Sequence, residues 1–137
     1  MDEVDRKIIR ILRENSRTPF KEIAKRLNMT EGAVRYRVKS LINKGVIKRF
    51  TIELGSNGGV SSLIYVKTSE KADLKALCSR ILKNDDVEKI YEVTGEYDLV
   101  VLVRTSSIRS LNNIIDKIRA EEGVVTTISS LILQEYN

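Results

Sequence analysis

Residues 18–47 hold two short helix-forming segments separated by only two residues, and this spacing strongly limits the possible folds. Thr18 can cap the first segment, and Pro19 suits its first helical position, where the missing N–H costs no hydrogen bond. Residues 28–29 form the turn, and Thr30 can cap the second segment. We therefore predict two helices that meet at a tight turn, as in a helix-turn-helix.

The second predicted helix has an apolar stripe on one side and polar or small residues on the other. Val34, Val38, Leu41 and Ile42 share one sector of the helix at about 100° per residue, and we predict that this sector faces the core. Gly45 follows at a position where a left-handed residue commonly ends a helix. In a helix-turn-helix, the polar face of the second helix can enter the DNA major groove. The alternative is an ordinary helix bundle with a solvated polar face.

The residues predicted to contact DNA differ in their roles. Small side chains near the helix start would let the backbone approach DNA closely. Hydroxyl, amide and ammonium groups further along can donate to base edges or phosphates, and the flanking arginines and lysines are predicted phosphate contacts. The complete predicted set is Thr30, Gly32, Ala33, Arg35, Tyr36, Arg37, Lys39, Ser40, Asn43, Lys48 and Arg49.

The charge of the chain is unevenly distributed between its two halves. Residues 1–50 carry 14 Lys and Arg against 6 Asp and Glu, a net charge of +8. Residues 51–137 carry 10 against 13, a net charge of −3. A basic half attached to a mildly acidic half indicates that only the first half binds a polyanion such as double-stranded DNA.

Hydrophobic residues in the second half alternate between strand and helix periods. The predicted strands and helices follow the order β-α-β-β-α-β, which is the ferredoxin-like arrangement of a four-stranded antiparallel sheet with two helices on one face. The other sheet face needs a cover, and a second copy of the chain would provide one. The predicted strands are residues 63–68, 87–94, 99–103 and 124–134, and the predicted helices are 74–82 and 111–118.

These patterns predict an α+β protein with two domains. A helix over residues 2–14 precedes the helix-turn-helix, and the strand-like run 46–54 fits the wing or the exit strand of a winged helix. We predict a winged helix-turn-helix DNA-binding domain over 1–54, a Gly-rich hinge over 55–59 and a ferredoxin-like domain over 60–137.

Several classes of protein find little support in the sequence. An enzyme on a ferredoxin-like domain is the main rival, but the chain has no His, no phosphate-binding glycine loop and no cluster of metal ligands. Its one cysteine, Cys78, lies on an amphipathic helix and is predicted to be a buried core thiol. No run of 18 apolar residues exists, so we predict a cytoplasmic protein without a membrane partner. Because metal-ligand clusters and phosphate-binding loops are missing from the sequence, we also predict no cofactor and no metal.

Short motifs along most of the chain match one family pattern in their order and spacing. The chain resembles the Lrp/AsnC family of feast/famine regulators over about 130 residues. Two positions depart from that pattern, because Ile42 stands where the family often has Glu and Ser129 stands where it often has Thr. The matching segments are D-x-x-D-x-x-I-I-x-x-L at 2–12, N-x-R at 15–17, E-I-A at 22–24, the run at 37–47, TGEYD at 94–98 and Gly-Val at 123–124.

The resemblance implies a sequence-specific transcription regulator whose assembly or DNA affinity responds to a small-molecule effector, an amino acid or a related metabolite. It implies a homodimer formed through the second domain, assembly of dimers into octamers, and an effector site between dimers. The domain over 60–137 would then bind the effector and mediate oligomerisation. The effector-binding positions implied by the family are Gly95, Glu96, Tyr97, Asp98, Thr127 and Ser129.

The chemistry of the 94–98 loop is compatible with an amino-acid effector. Asp98 can pair with an α-ammonium group, and Glu96 adds a second carboxylate that favours lysine or arginine. The alternative for this loop is a tight hairpin in which Asp98 makes only local hydrogen bonds. For the whole chain, a DNA-architectural protein with little sequence preference is a further alternative.

Overall fold

The computed structural model describes all 137 residues, and they divide into two compact units, Met1–Leu54 and Gly55–Asn137. The first unit contains three helices and no strand: α1 is Glu3–Glu14, α2 is Phe20–Leu27 and α3 is Glu31–Asn43. Each helix contributes buried apolar residues to one shared core. The core residues are Ile8, Leu12, Ile23, Ala24, Val34 and Val38.

The N-terminus of α1 is closed by two aspartates that cap each other. The backbone N–H of Asp5 donates to the Asp2 carboxylate at 2.8 Å, and the N–H of Asp2 donates to the Asp5 carboxylate at 3.2 Å. This capping box satisfies donors that helix geometry leaves unpaired in the first turn. The D-x-x-D spacing of the sequence therefore has a local structural purpose at the start of α1.

Thr18 does not cap α2, so this part of the sequence prediction was wrong. Pro19 occupies the cap position with an extended backbone, and no side chain caps the helix. The Thr18 hydroxyl instead donates to the Asn15 carbonyl at 2.7 Å. Because the hydroxyl is engaged with the preceding turn, it is not available to the first turn of α2.

The turn and the start of α3 form as predicted. Asn28 adopts the left-handed conformation at φ 55°, and the N–H of Met29 donates back to the Ala24 carbonyl at 2.8 Å. The Thr30 hydroxyl accepts the N–H of Ala33 at 3.1 Å, which caps α3. Gly45 ends the helix with a positive φ of 71°, a conformation that L side chains rarely adopt.

The predicted wing strand over 46–54 does not form in the single chain. The segment is irregular, and Phe50, Ile52 and Leu54 are 48%, 75% and 69% exposed. A strand requires a neighbouring strand to pair its backbone N–H and C=O groups, and the first unit otherwise contains only helices. The alternating pattern of the sequence therefore marks an apolar edge without a partner in the chain.

The second unit has the predicted β-α-β-β-α-β order. Its four antiparallel strands lie in the order β2-β3-β1-β4, so the first strand is central. The strand β1 begins three residues earlier than predicted, and β4 ends three residues earlier. The bounds are Val60–Thr68 for β1, Leu74–Ile81 for α4, Val87–Glu92 for β2, Leu99–Thr105 for β3, Ile108–Arg119 for α5 and Val124–Leu131 for β4.

Successive residues of the strands alternate between two faces of the sheet. Ile64 and Val66 of β1 are fully buried on the helix-covered face, where they pack with apolar residues of α4 and α5. Leu63 and Tyr65 lie on the opposite face, here called the open face, and are only half-buried. The open face has no cover within this unit, as the sequence pattern predicted.

Candidate DNA interface and effector site

The buried stripe of α3 sets the direction of its polar face. Val34 and Val38 are in the core of the first unit and Leu41 is also buried, so the opposite side of the helix faces solvent. The prediction that Ile42 belongs to this buried stripe was wrong, because its side chain lies at the margin of the stripe and is 43% exposed. Tyr36 is 75% exposed, and Lys39 and Asn43 are exposed beside it. One side of this packed helix therefore presents hydrogen-bond donors, which are those of Tyr36, Lys39, Ser40 and Asn43.

Cations at the end of α3 and beyond it are not engaged with acidic side chains. None of the salt bridges of the first unit includes Lys39, Lys48 or Arg49. Arg35 differs, because it pairs with Glu31 one turn earlier at 2.7 Å and lies 5.8 Å above the Phe20 ring. The unpaired cations are the groups best suited to hold phosphates.

The start of α3 offers little steric bulk. An added Cβ at Gly32 would meet nothing within 4 Å, so this surface is open. The N–H of Ala33 is occupied by the cap that Thr30 forms. Thr30 therefore has a structural task at the helix start, and Gly32 and Ala33 leave room for a close approach of another molecule.

Arg37 makes long-range contacts that sequence reasoning missed. Its guanidinium Nη1 donates to Asp2 at 2.7 Å and to Asp5 at 2.9 Å, across more than thirty residues of sequence. These hydrogen bonds raise the pKa of Arg37, and the pKa of Asp2 is lowered, first by the Asp5 N–H and then by Arg37. The D-x-x-D spacing was visible in the sequence, but nothing local connected it with Arg37.

The predicted effector loop connects β2 and β3 as a tight hairpin. Gly95 has a φ of 118°, which favours glycine, and the N–H of Val93 donates to the Asp98 carbonyl at 2.9 Å. The ring of Tyr97 packs against that of Tyr65 with 5.8 Å between centroids. Four of the predicted residues, 95–98, are thus held in one compact turn beside β1.

Asp98 is tied to the end of β1 by hydrogen bonds to Thr68, a residue 30 positions earlier in the chain. Its Oδ2 accepts the Thr68 N–H at 2.8 Å and the Thr68 hydroxyl at 2.9 Å, and these bonds lower the pKa of Asp98. Nearby, the Lys67 ammonium donates to the Glu96 carbonyl at 2.8 Å. The loop therefore combines a fixed carboxylate with a cation that the sequence prediction did not include.

Thr127 and Ser129 lie on the far side of β1 from this loop. They pair with Val66 and Ile64, so both belong to the helix-covered face. Thr127 is buried, and its hydroxyl accepts a hydrogen bond from Arg119 Nε at 2.9 Å. Since Tyr97 packs against Tyr65 on the open face, the sheet separates Tyr97 from Thr127 and Ser129 within one chain.

The second unit also has a cleft of about 260 Å³ between the ends of α4 and α5. Its walls include Arg80, Lys83 and Lys117 over an apolar floor, and none of the predicted effector residues lines it. Side chains of His, Cys, Asp and Glu nowhere gather into a group of three that could hold a metal ion. None of the helices combines the length and apolar character needed to cross a bilayer.

Comparison with known proteins matches both units to described families. Residues 1–48 match the winged helix-turn-helix DNA-binding model, and residues 60–137 match the Lrp/AsnC ligand binding domain. The HTH-type transcriptional regulator LysM of Sulfurisphaera tokodaii is 43% identical over 99% of this chain and 97% of its own length.

Solved structures agree with this assignment along the whole chain. The leucine response regulatory protein LrpA of Mycobacterium tuberculosis has a TM-score of 0.85 and 28% identity, covering 100% of this chain and 95% of its own. E. coli AsnC has a TM-score of 0.82 and 25% identity, covering 98% and 93% respectively. The fold predicted from the residue pattern, a winged helix-turn-helix followed by a four-stranded α/β domain, is thereby confirmed.

Proposed function

Because the chain belongs to the Lrp/AsnC family of transcription regulators and is not an enzyme, we propose that it reads pseudo-palindromic DNA as a homodimer under the control of a small-molecule effector. In this proposal residues 1–54 bind DNA, 55–59 act as the hinge, and 60–137 bind the effector and mediate oligomerisation. The protein would act in the cytoplasm, where it meets both DNA and metabolites.

The exposed polar face of α3 is the observation that carries the DNA-binding part. The helix α3 packs its apolar side into the core of the first unit, and its opposite side exposes Tyr36, Lys39 and Asn43. Lys48 and Arg49 follow it without acidic partners. Donors on a rigid helix can read base edges, while free cations beside it neutralise phosphates and supply most of the affinity.

Apolar surface without a cover supports self-association. Leu63 and Tyr65 are half-buried on the open face, and Ile128 on the neighbouring strand β4 is 52% exposed. Phe50 and Ile52 of the irregular segment add further exposed apolar area in the first unit. A second copy could cover such surface, and assembly of dimers into octamers would bring several DNA-binding units together.

Charged groups around the 94–98 loop support an amino-acid effector. Thr68 occupies only Oδ2 of Asp98, which leaves Oδ1 available to an α-ammonium group. Lys67 offers a cation for an α-carboxylate, and the carboxylate of Glu96 would favour a basic side chain such as that of lysine or arginine. Thr127 and Ser129 would come from a neighbouring copy, because within one chain they lie across the sheet from Tyr97.

Selection of DNA from a random-sequence pool tests the DNA-binding part. We expect an enriched duplex whose footprint has two protected half-sites about 34–36 Å apart, one helical turn. Lys39→Ala should weaken binding to this duplex, whereas Lys75→Ala, which removes an exposed cation from α4, should leave binding unchanged. Extended protection of any sequence would instead favour an architectural protein, and equal effects of both variants would exclude α3 from the interface.

Size-exclusion chromatography with light scattering tests the effector part. We expect a mixture of the twenty amino acids to shift the mass between a dimer and a larger assembly, and calorimetry with single amino acids should identify the ligand. Asp98→Ala should abolish that binding. Calorimetry in which no amino acid binds, or in which Asp98→Ala binds as well as the wild type, would refute the effector proposal and leave DNA binding untouched.

A further inference from the structure

We propose that Arg37 is a positioning residue that braces the DNA-reading helix α3 against the start of α1, and that it does not act as a phosphate contact. The inference rests on the proposed function, since it concerns how α3 is held for DNA. It assigns a role in DNA recognition to Asp2 and Asp5, which lie outside the helix-turn-helix.

The geometry around Arg37 is that of a socket. Nη1 lies 2.7 Å from Asp2 Oδ2 and 2.9 Å from Asp5 Oδ1, so one nitrogen bridges the two carboxylates. The side chain of Arg37 is 30% exposed and that of Asp5 only 16%, so the pair is partly shielded from water. Both contacts connect α3 with the first turn of α1.

Both carboxylates of the socket are also held in place, because each accepts a hydrogen bond from the backbone N–H of the other aspartate. Asp2 Oδ1 accepts the Asp5 N–H and Asp5 Oδ2 accepts the Asp2 N–H, which leaves one oxygen of each for Arg37. Every carboxylate oxygen therefore has a defined partner. The Asp5 N–H and Arg37 both lower the pKa of Asp2, because they stabilise its charged carboxylate.

Such a brace adds a directional restraint to the orientation of α3 that the apolar core already sets. The buried residues Val34 and Val38 keep α3 against α1 and α2, but apolar contacts are not directional. Two hydrogen bonds from Arg37 further restrain the rotation of α3, and with it the direction of Tyr36 and Lys39. The two carboxylates also outweigh the charge of Arg37, which makes this spot unfavourable for a phosphate.

Removing the two acidic charges distinguishes the two roles by the sign of the effect. In the full-length double variant Asp2→Asn and Asp5→Asn, asparagine still caps the helix, so α1 is preserved. If Arg37 braces α3, affinity for the duplex enriched by the wild type should fall about fivefold, the upper range for a partly exposed ion pair. If Arg37 contacts a phosphate, affinity should rise, because two repulsive charges are removed and the guanidinium is released.

Glu3→Gln is the matched control for loss of acidic charge. Glu3 lies in the same first turn, is exposed and forms no salt bridge. The affinity of the Glu3→Gln variant for the enriched duplex should equal that of the wild type or be slightly higher. Thermal unfolding of each variant by circular dichroism checks that the first unit remains folded at the assay temperature.

The salt dependence of binding gives an independent readout that fold stability does not imitate. The logarithm of the DNA-binding constant falls linearly with the logarithm of the salt concentration, and loss of one phosphate contact makes this slope less steep by about 0.9. Lys39→Ala should show such a change if Lys39 holds a phosphate. Arg37→Gln should weaken binding with an unchanged slope. The triple variant, which adds Asp2→Asn and Asp5→Asn to Arg37→Gln, should bind DNA no more weakly than Arg37→Gln alone, because that single substitution already removes the brace.

Tighter binding by the double variant, or a slope reduced by Arg37→Gln, would overturn the positioning role while leaving the proposed function intact. A pool from which the wild type enriches no duplex would refute the proposed function itself, and the positioning role with it. The two failures are therefore separable.

Discussion

Truncation of Ile64 provides a quantitative test of the register of the central strand. Ile64 is 0% exposed in the middle of β1, where it pairs with Val101 and Ser129 on the helix-covered face. Ile64→Ala removes three buried carbon atoms. At about 0.8 kcal/mol for each buried methylene, the transfer term is about 2.4 kcal/mol.

A cavity would remain in the core, because strands on both sides hold the backbone of β1 in place. Adding its cost brings the expected loss in unfolding free energy to about 3–4 kcal/mol. Ile64→Val removes only one methylene and should cost about 1 kcal/mol. Because both variants start from the same site, Ile64→Ala should lose about three to four times as much unfolding free energy as Ile64→Val.

Urea unfolding followed by tyrosine fluorescence measures these losses. Four of the five tyrosines lie in the second unit, so the signal reports mainly on the unit that contains Ile64. All variants must be compared at one protein concentration, because the stability of an associating protein depends on concentration.

Leu63→Ala is the matched control, since Leu63 is the neighbouring residue on the open face. Its cost to folding should be clearly smaller, and it should instead make the unfolding midpoint more dependent on protein concentration by weakening self-association. A slip of β1 by one residue would exchange the two faces. A loss below about 0.5 kcal/mol for Ile64→Ala would therefore refute the described register.

Three further predictions concern the cap of α3, the effector loop and the single cysteine. Thr30→Ala should destabilise the first unit by about 1 kcal/mol, and Thr30→Ser should retain the cap; calorimetric melting of both variants tests this. Because hydrogen bonds from Thr68 hold the pKa of Asp98 below its ordinary value of 3.8, its stabilising contribution is present above that pH and lost as the pH falls through the lowered pKa. Asp98→Asn should therefore flatten the loss of stability in acid, and thermal melts between pH 2 and 5 would contradict this reasoning if both proteins lost stability in parallel. Burial, and secondarily Glu92, raises the pKa of Cys78, so iodoacetamide at pH 8 should react at least about tenfold more slowly with the native chain than with urea-unfolded chain.

Local patterns in the sequence were sufficient for most of the fold. The helix α3 and its cap at Thr30, and the left-handed end at Gly45, depend on residues within one or two turns of each other. The order of strands and helices in the second unit also follows from hydrophobic periods that each segment carries alone. Local patterns gave a wrong prediction at Thr18, which does not cap α2 because its hydroxyl donates to the Asn15 carbonyl instead.

The candidate sites were less accessible to sequence reasoning. Arg37 was interpreted as a phosphate contact because its charge and helical position are visible, while its partners Asp2 and Asp5 are not near in sequence. In the effector loop, the predicted role of Asp98 stays a prediction, and its bonds to Thr68 join the loop to the distant strand β1, a contact that sequence reasoning did not foresee.

The amino-acid sequence alone was sufficient to predict the order of the helices and of the four sheet strands, which of their faces are apolar, and that a basic helix-turn-helix precedes a mildly acidic α/β domain. The folded chain was needed to show which charges are paired and which are free. It also left the apolar run at 46–54 without a strand partner and put Thr127 across the sheet from Tyr97. Secondary structure follows from interactions between near neighbours, whereas the partner of a charge or of a strand edge depends on which distant segments the folded chain brings together.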